Sequence, residues 1–271
     1  MSFIEKLKAR WKSQNSLVCV GLDPDLNRIP DHIREADHPI FEFNRAVIDA
    51  TNDLVCAYKP QIAYYSAFGA EHELEMTIGY IRDNYSDIPV ILDAKRGDIG
   101  ATAKMYAMEA FDRYRADAVT VNPYMGGDTL KPFLDRKDRG VVILCRTSNP
   151  GAGDLQDIES NNEKIYRIIA KRAADEWNYN KNIMLVAGAT YPEELAELRA
   201  VTGEIPFLVP GIGAQGGDVK KAVTNGMTSD GTGMAVNSSR GIIYAGTGKN
   251  FITAVRAAAI ALRDEINRYR S

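Results

Sequence analysis

A chain of 271 residues, 45% hydrophobic and 25% charged, has the composition of a globular protein that can bury a full core, which excludes a disordered chain. Its 33 basic and 36 acidic side chains leave a net charge of −3, so no global positive field exists to hold nucleic acid or an anionic membrane surface. No apolar run approaches the ~20 residues that span a bilayer, and any bound phosphate must be held by local groups.

The first eleven residues carry Phe3, Ile4, Leu7 and Trp11 at helical spacing without the apolar stretch of a secretory signal, and are expected to form a short opening helix. Apolar, β-branched runs then recur along the chain. The predicted strands are Leu17 to Asp23, Val55 to Gln61, Val90 to Lys95, Ala118 to Pro123, Val141 to Thr147, Ile183 to Ala189, Phe207 to Gly211 and Met234 to Ser239. Segments with apolar residues three and four apart lie between or after them: Phe41 to Leu54, Thr102 to Arg115, Glu163 to Trp177 and Phe251 to Tyr269. Cys19, Cys56 and Cys145 form no C-x-x-C pair, and each lies in an apolar run where a thiol packs as a small hydrophobe. A reducing, cytoplasmic setting fits.

Continuously apolar strands suit a parallel sheet covered by helices, and eight βα units in a row favour closure of an α/β chain into a (βα)8 TIM barrel. Such a barrel takes about 250 residues as one domain, so residues 1–271 are expected to form a single domain. The longest irregular stretch, Arg146 to Asn162, suits an active-site loop better than a domain boundary.

Active sites of such barrels form at the C-terminal ends of the strands. There the chain places Asp23 on the first strand, Lys59 on the second, Asp93 and Lys95 on the third, and Asp98 just beyond it. Strand alternation puts Asp93 and Lys95 on one side of the sheet. Asp98 has a structural alternative as the N-cap of the next helix. Removing several ions from water is costly unless they compensate one another, so their convergence on one barrel mouth points to function.

A second cluster follows the seventh and eighth strands, where this fold commonly binds phosphate. Pro210 to Asp218, PGIGAQGGD, and Asn237 to Ile242, NSSRGI, supply glycines that let backbone N–H groups approach an anion, with Gln215 and Arg240 as side-chain donors. Gly211, Gly213 and Gly216 with Asp230 also imitate a dinucleotide fingerprint. That motif opens a βαβ unit of an open sheet, however, and here it falls in the seventh unit of a barrel. His32, His38 and His72 lie away from the strand ends, leaving lysine or a carboxylic acid as the proton donor and no His-rich metal site.

The segment Asp93 to Ala103, DAKRGDIGATA, closely resembles the signature of the orotidine 5′-monophosphate decarboxylase family, in its longer bacterial-type subgroup. GLDPD around Asp23, YKP around Lys59, TSNPG around Ser148, GIGAQGGD around Gln215 and SSRGI around Arg240 arrive in that family's order. The resemblance implies conversion of orotidine monophosphate to uridine monophosphate and CO2, the last step of de novo pyrimidine nucleotide synthesis, with no cofactor and no metal. It implies that Asp23 binds the ribose, that Lys59 links ribose and the carboxylate network, and that Asp93 and Asp98 complete a charged array with Lys95 as proton donor. Ser148 would contact the pyrimidine, and Gln215 and Arg240 the phosphate. Asp98 and Thr102 would serve the neighbouring subunit's site, which implies a homodimer. No role carries over to Asn122, where many relatives have His. Two rival readings stand beside this one: a metal-dependent sugar-phosphate decarboxylase or epimerase, opposed by Lys59 where such relatives carry a metal-binding glutamate, and a non-catalytic nucleotide-binding barrel.

Overall fold

Runs of Val, Ile, Leu and Ala that are buried on both faces of a sheet need parallel neighbours and a helical cover, and the computed structural model, which describes residues 1–212 and 218–270, has that arrangement. Its eight parallel strands are β1 (Val18–Leu22), β2 (Ala57–Pro60), β3 (Ile91–Arg96), β4 (Ala118–Val121), β5 (Gly140–Arg146), β6 (Ile183–Ala187), β7 (Phe207–Val209) and β8 (Met234–Ser238). They pair in the order β2-β1-β8-β7-β6-β5-β4-β3. Single bridges from Tyr58 to Val90 and from Gln61 to Asp93 join β2 to β3. The sheet therefore comes round on itself as a (βα)8 barrel, and every predicted strand overlaps an observed one.

The opening helix, Phe3–Ser13, is started by a reciprocal capping box in which Ser2 and Glu5 satisfy one another's backbone N–H groups. It buries Phe3, Leu7 and Trp11. Phe3 lies against the first residue of β5, where a Cβ on Gly140 would come within 2.2 Å of the Phe3 ring. The helix thus covers the end of the barrel opposite the strand C-termini. Among the described residues no helix is long and apolar enough to cross a membrane.

Two of the predicted helices are composite. The segment expected over Thr102 to Arg115 is an α-helix at Gly100–Met108 continued by a π-helical turn at Glu109–Arg113. The one expected over Glu163 to Trp177 is an α-helix at Ile165–Arg172 followed by a π-helical turn at Ala173–Trp177. The stretch from Arg146 to Asn162 is more regular than its turn-rich composition suggests. It holds a 3-10 turn at Pro150–Ala152, a one-turn helix at Gly153–Gln156, and the first strand of a small hairpin, Glu159–Ser160 paired with Glu163–Lys164. Asn161 and Asn162 turn that hairpin with φ of 53° and 61°, the left-handed values a two-residue hairpin turn requires and asparagine tolerates.

Candidate active site

The strand C-termini bring Asp23, Lys59, Asp93 and Lys95 together. Lys59 Nζ donates to Asp93 Oδ2 at 3.0 Å and lies 4.0 Å from Asp23 Oδ1. Lys95 Nζ donates to the other Asp93 oxygen at 2.7 Å. Lys59 and Asp93 are buried, while the Lys95 side chain is 49% exposed and so is the ammonium an incoming molecule can meet.

Strand alternation is not what pairs Asp93 with Lys95. Lys95 has φ of 46°, and the pairing of β3 with β4 slips between Leu92 and Arg96. From Leu92 to Arg96, β3 advances four residues while β4 advances two, from Val119 to Val121. This bulge turns the lysine back over the carboxylate. A non-glycine residue at positive φ is strained unless its surroundings hold it there, and the holder is Thr120 of β4. Its Oγ1 accepts from the backbone N–H groups of Ala94 and Lys95 at 2.9 and 2.8 Å and donates to Asp93 Oδ1 at 2.8 Å. Sequence reasoning missed Thr120, although it is the one hydroxyl inside the apolar run of β4.

Burial by itself would push the Asp93 carboxyl upward, but the ammonium groups of Lys59 and Lys95 outweigh it and hold the acid well below the usual carboxylate range. For Lys59, burial favours the neutral amine, yet Asp93 and Asp23 overcome it and raise the group above its ordinary value. Lys59 and Asp93 are therefore held as a buried ion pair at neutral pH.

Polar atoms without partners adjoin this array. Asp23 Oδ1, Asn237 Oδ1 and Ser239 Oγ are three of the eight inaccessible side-chain atoms among the described residues that make no hydrogen bond. Buried polar groups are normally satisfied, so these three leave hydrogen-bonding capacity unused beside the array. They lie on neighbouring strands, since β1 pairs with β8 through Cys19 and Asn237. Arg240, exposed, follows Ser239 directly. Gln215, the other predicted phosphate contact, lies outside the described residues, as do Gly213 and Gly216.

Ser148 follows β5 and sits on the turn after β6, where a Cβ on Gly188 would lie 3.0 Å from the Ser148 N, Cα and Cβ. Asp98 stands apart from the array in its own chain. Its Oδ1 accepts from the Ile99 N–H at 2.8 Å, and it joins no ion pair among the described residues. Nor is it the N-cap of the helix Gly100–Met108: Ile99 holds that position, without a side-chain cap. Thr102 is exposed on the same helix. Asn122 caps the 3-10 turn Pro123–Met125 by accepting from the Tyr124 N–H at 3.0 Å. His38 packs edge-on against His72, and His32 lies against Phe251.

Residues 16–254 match the model of the orotidine 5′-phosphate decarboxylase / HUMPS family. The chain is 57% identical over 269 residues to the orotidine 5′-phosphate decarboxylase of Cellvibrio japonicus, covering 98% of each protein. It is 55% identical over 270 residues to the enzyme of that name from Dechloromonas aromatica, covering 100% of both. Its fold is similar to the solved OMP decarboxylase of Leishmania donovani, with a TM-score of 0.86, 41% identity, and coverage of 100% of this chain and 99% of that one.

Proposed function

Because the chain belongs to the orotidine 5′-phosphate decarboxylase / HUMPS family, we propose that it converts orotidine 5′-monophosphate to uridine 5′-monophosphate and CO2 without a cofactor, with Lys95 as the proton donor. The observation that carries this reading is the hydrogen-bonded Lys59–Asp93–Lys95 array, with the Lys95 side chain exposed. Loss of CO2 from the orotate ring leaves a carbanion in the ring plane, which the ring carbonyls cannot delocalise. A fixed ammonium can both stabilise that charge and supply the proton.

Asp93 sits beside Lys95, so a substrate carboxylate near the ammonium also faces a second anion, and departure of CO2 relieves the repulsion. Asp23, whose Oδ1 faces Lys59 without a hydrogen bond, suits a ribose hydroxyl. Arg240 and Gln215 suit the phosphate, and Ser148 the pyrimidine edge. Binding energy from the remote phosphate can then position the ring over Lys95 and raise the rate of the chemical step.

Asp98 and Thr102 are proposed to complete the site of a second subunit. Two observations support this: Asp98 does not join its own chain's array, and the helix beside it leaves Met105 and Met108, three residues apart on one face, exposed at 57 and 46%. The metal-dependent rival fits poorly, because the Lys59 ammonium stands between Asp23 and Asp93, the carboxylates a cation would need. An absorbance assay with orotidine monophosphate, run with and without EDTA, tests the proposal. Equal turnover in both is expected; loss on chelation that Mg2+ restores would favour the rival, and no turnover in either would favour a non-catalytic binding protein.

A further inference from the structure

The charged side chains buried among the described residues are Arg10, Lys59, Asp93 and Arg146. Lys59 and Asp93 belong to the array. Arg10 works at the opposite end of the barrel, donating to the Val55 carbonyl just before β2 and to Asp87. Arg146 remains, and it is the last residue of β5, two positions before Ser148.

A guanidinium is buried at high cost unless its surroundings compensate it, and here the compensation is elaborate. Arg146 forks onto both oxygens of Glu194, reaches Asp157 at 3.3 Å, and lies over the rings of Tyr191 and Tyr166 at 4.1 and 5.2 Å from their centroids. Glu194 lies in the helix Pro192–Thr202 that follows β6, so the fork ties the exit of β5 to the exit of β6. Asp157 is the far end of the loop that begins at Thr147. Beside it, Gln156 accepts from the Thr147 N–H at 3.0 Å and donates to Thr147 Oγ1 at 2.8 Å. The loop thus leaves and returns to one guanidinium, and its first turn presses Ser148 onto Gly188.

We infer that Arg146 is a positioning residue for Ser148: by tying Asp157 to Glu194 it closes the loop Thr147–Asp157 and fixes where Ser148 meets the base. A planar, forked cation is needed, because an ammonium offers neither the bidentate bond to Glu194 nor the flat face for two tyrosines. The inference rests on the reading of Ser148 as the pyrimidine contact.

The test compares binding of uridine monophosphate with binding of ribose 5-phosphate, which lacks the base, in Ser148→Ala, Asp157→Ala and the double variant. Asp157→Ala should weaken uridine monophosphate by about tenfold and leave ribose 5-phosphate within about twofold, matching Ser148→Ala, with no further loss in the double variant. Arg146→Lys, which keeps charge and bulk but loses the fork, is the second variant should Asp157→Ala misfold, with the same expectation. If Ser148→Ala weakens uridine monophosphate selectively and the Asp157 and Arg146 variants do not, the inference falls while the reading of Ser148 stands. Equal losses for both ligands would mark the ion pair as structural only, and a silent Ser148→Ala would overturn the reading and the inference with it.

Discussion

At the scale of single residues, the candidate site depends on a hydroxyl whose one proton and two accepting directions are all committed. Removing it in Thr120→Val leaves the Ala94 and Lys95 N–H groups without their acceptor, at about 1–3 kcal/mol, and frees a lysine held at φ of 46°. Misplacing a reacting group by ~1 Å can cost on the order of a hundredfold, so kcat is expected to fall by roughly that factor while KM moves far less. Steady-state kinetics beside a thermal melt decide it, and an unchanged kcat would remove Thr120 from any role in placing Lys95. The charges set a pH window. Asp93 is depressed in the fold, so its contribution to stability is complete above about pH 4, the ordinary carboxylate range, and is lost as acid drives the pH down toward the folded value. Lys59 is raised, so its contribution is complete below about pH 10 and is lost only as pH climbs through its folded value. Urea titrations of the parent and Asp93→Asn should differ by a constant amount from about pH 6 to 9 and by less below about pH 4; a gap that widens in acid would reverse the assignment. The gathering of Asp23, Lys59, Asp93 and Lys95 was legible in the sequence, because each closes an apolar run in a fold whose strand ends converge. Thr120 and the bulge at Lys95 were not, since nothing local in DAKRGD tells that a neighbouring strand will hold its second and third backbone amides out of register.

At the scale of elements, β1 and β8 meet so closely that their pairing controls the arginine beyond. Val18, Cys19 and Val20 pair with Val236, Asn237 and Ser238, and a Cβ on the next residue, Gly21, would lie 2.7 Å from Ser239 Cβ. A methyl there cannot be accommodated without shifting Ser239, and Arg240 with it. Gly21→Ala is therefore expected to weaken uridine monophosphate about tenfold more than uridine, the same pattern expected of Arg240→Ala. Calorimetric titration of both ligands checks it, and equal losses would detach the β1–β8 contact from phosphate binding. The strands themselves were easy to read, because a parallel strand buried on both faces is a continuous apolar run. The order found within Arg146 to Asn162 was hidden for the opposite reason. It depends on Glu194, 48 residues from Arg146, and on ion pairs that leave no periodic trace in the loop's own sequence.

At the scale of the whole molecule, the array in one chain lacks the aspartate that the signature segment places five residues after Asp93. Asp98 bonds the neighbouring Ile99 N–H instead, at the start of a helix that exposes Met105 and Met108 on one face. If that face meets a second copy across a two-fold axis, each site takes Lys95 from one chain and Asp98 from the other. Lys95→Ala and Asp98→Ala would then each be inactive alone, for unrelated reasons, and would differ when combined. Mixing them and allowing subunits to exchange makes half of all dimers mixed at equal concentrations. In a mixed dimer one site carries both lesions and the other carries neither, so about a quarter of all sites should become active, as two-fold symmetry requires. The measurement is decarboxylase activity before and after exchange, with exchange verified by mass-tagged subunits. Activity that stays at the level of the separate variants, despite verified exchange, would mean that Asp98 acts within its own chain and reaches the array only when substrate binding moves its loop.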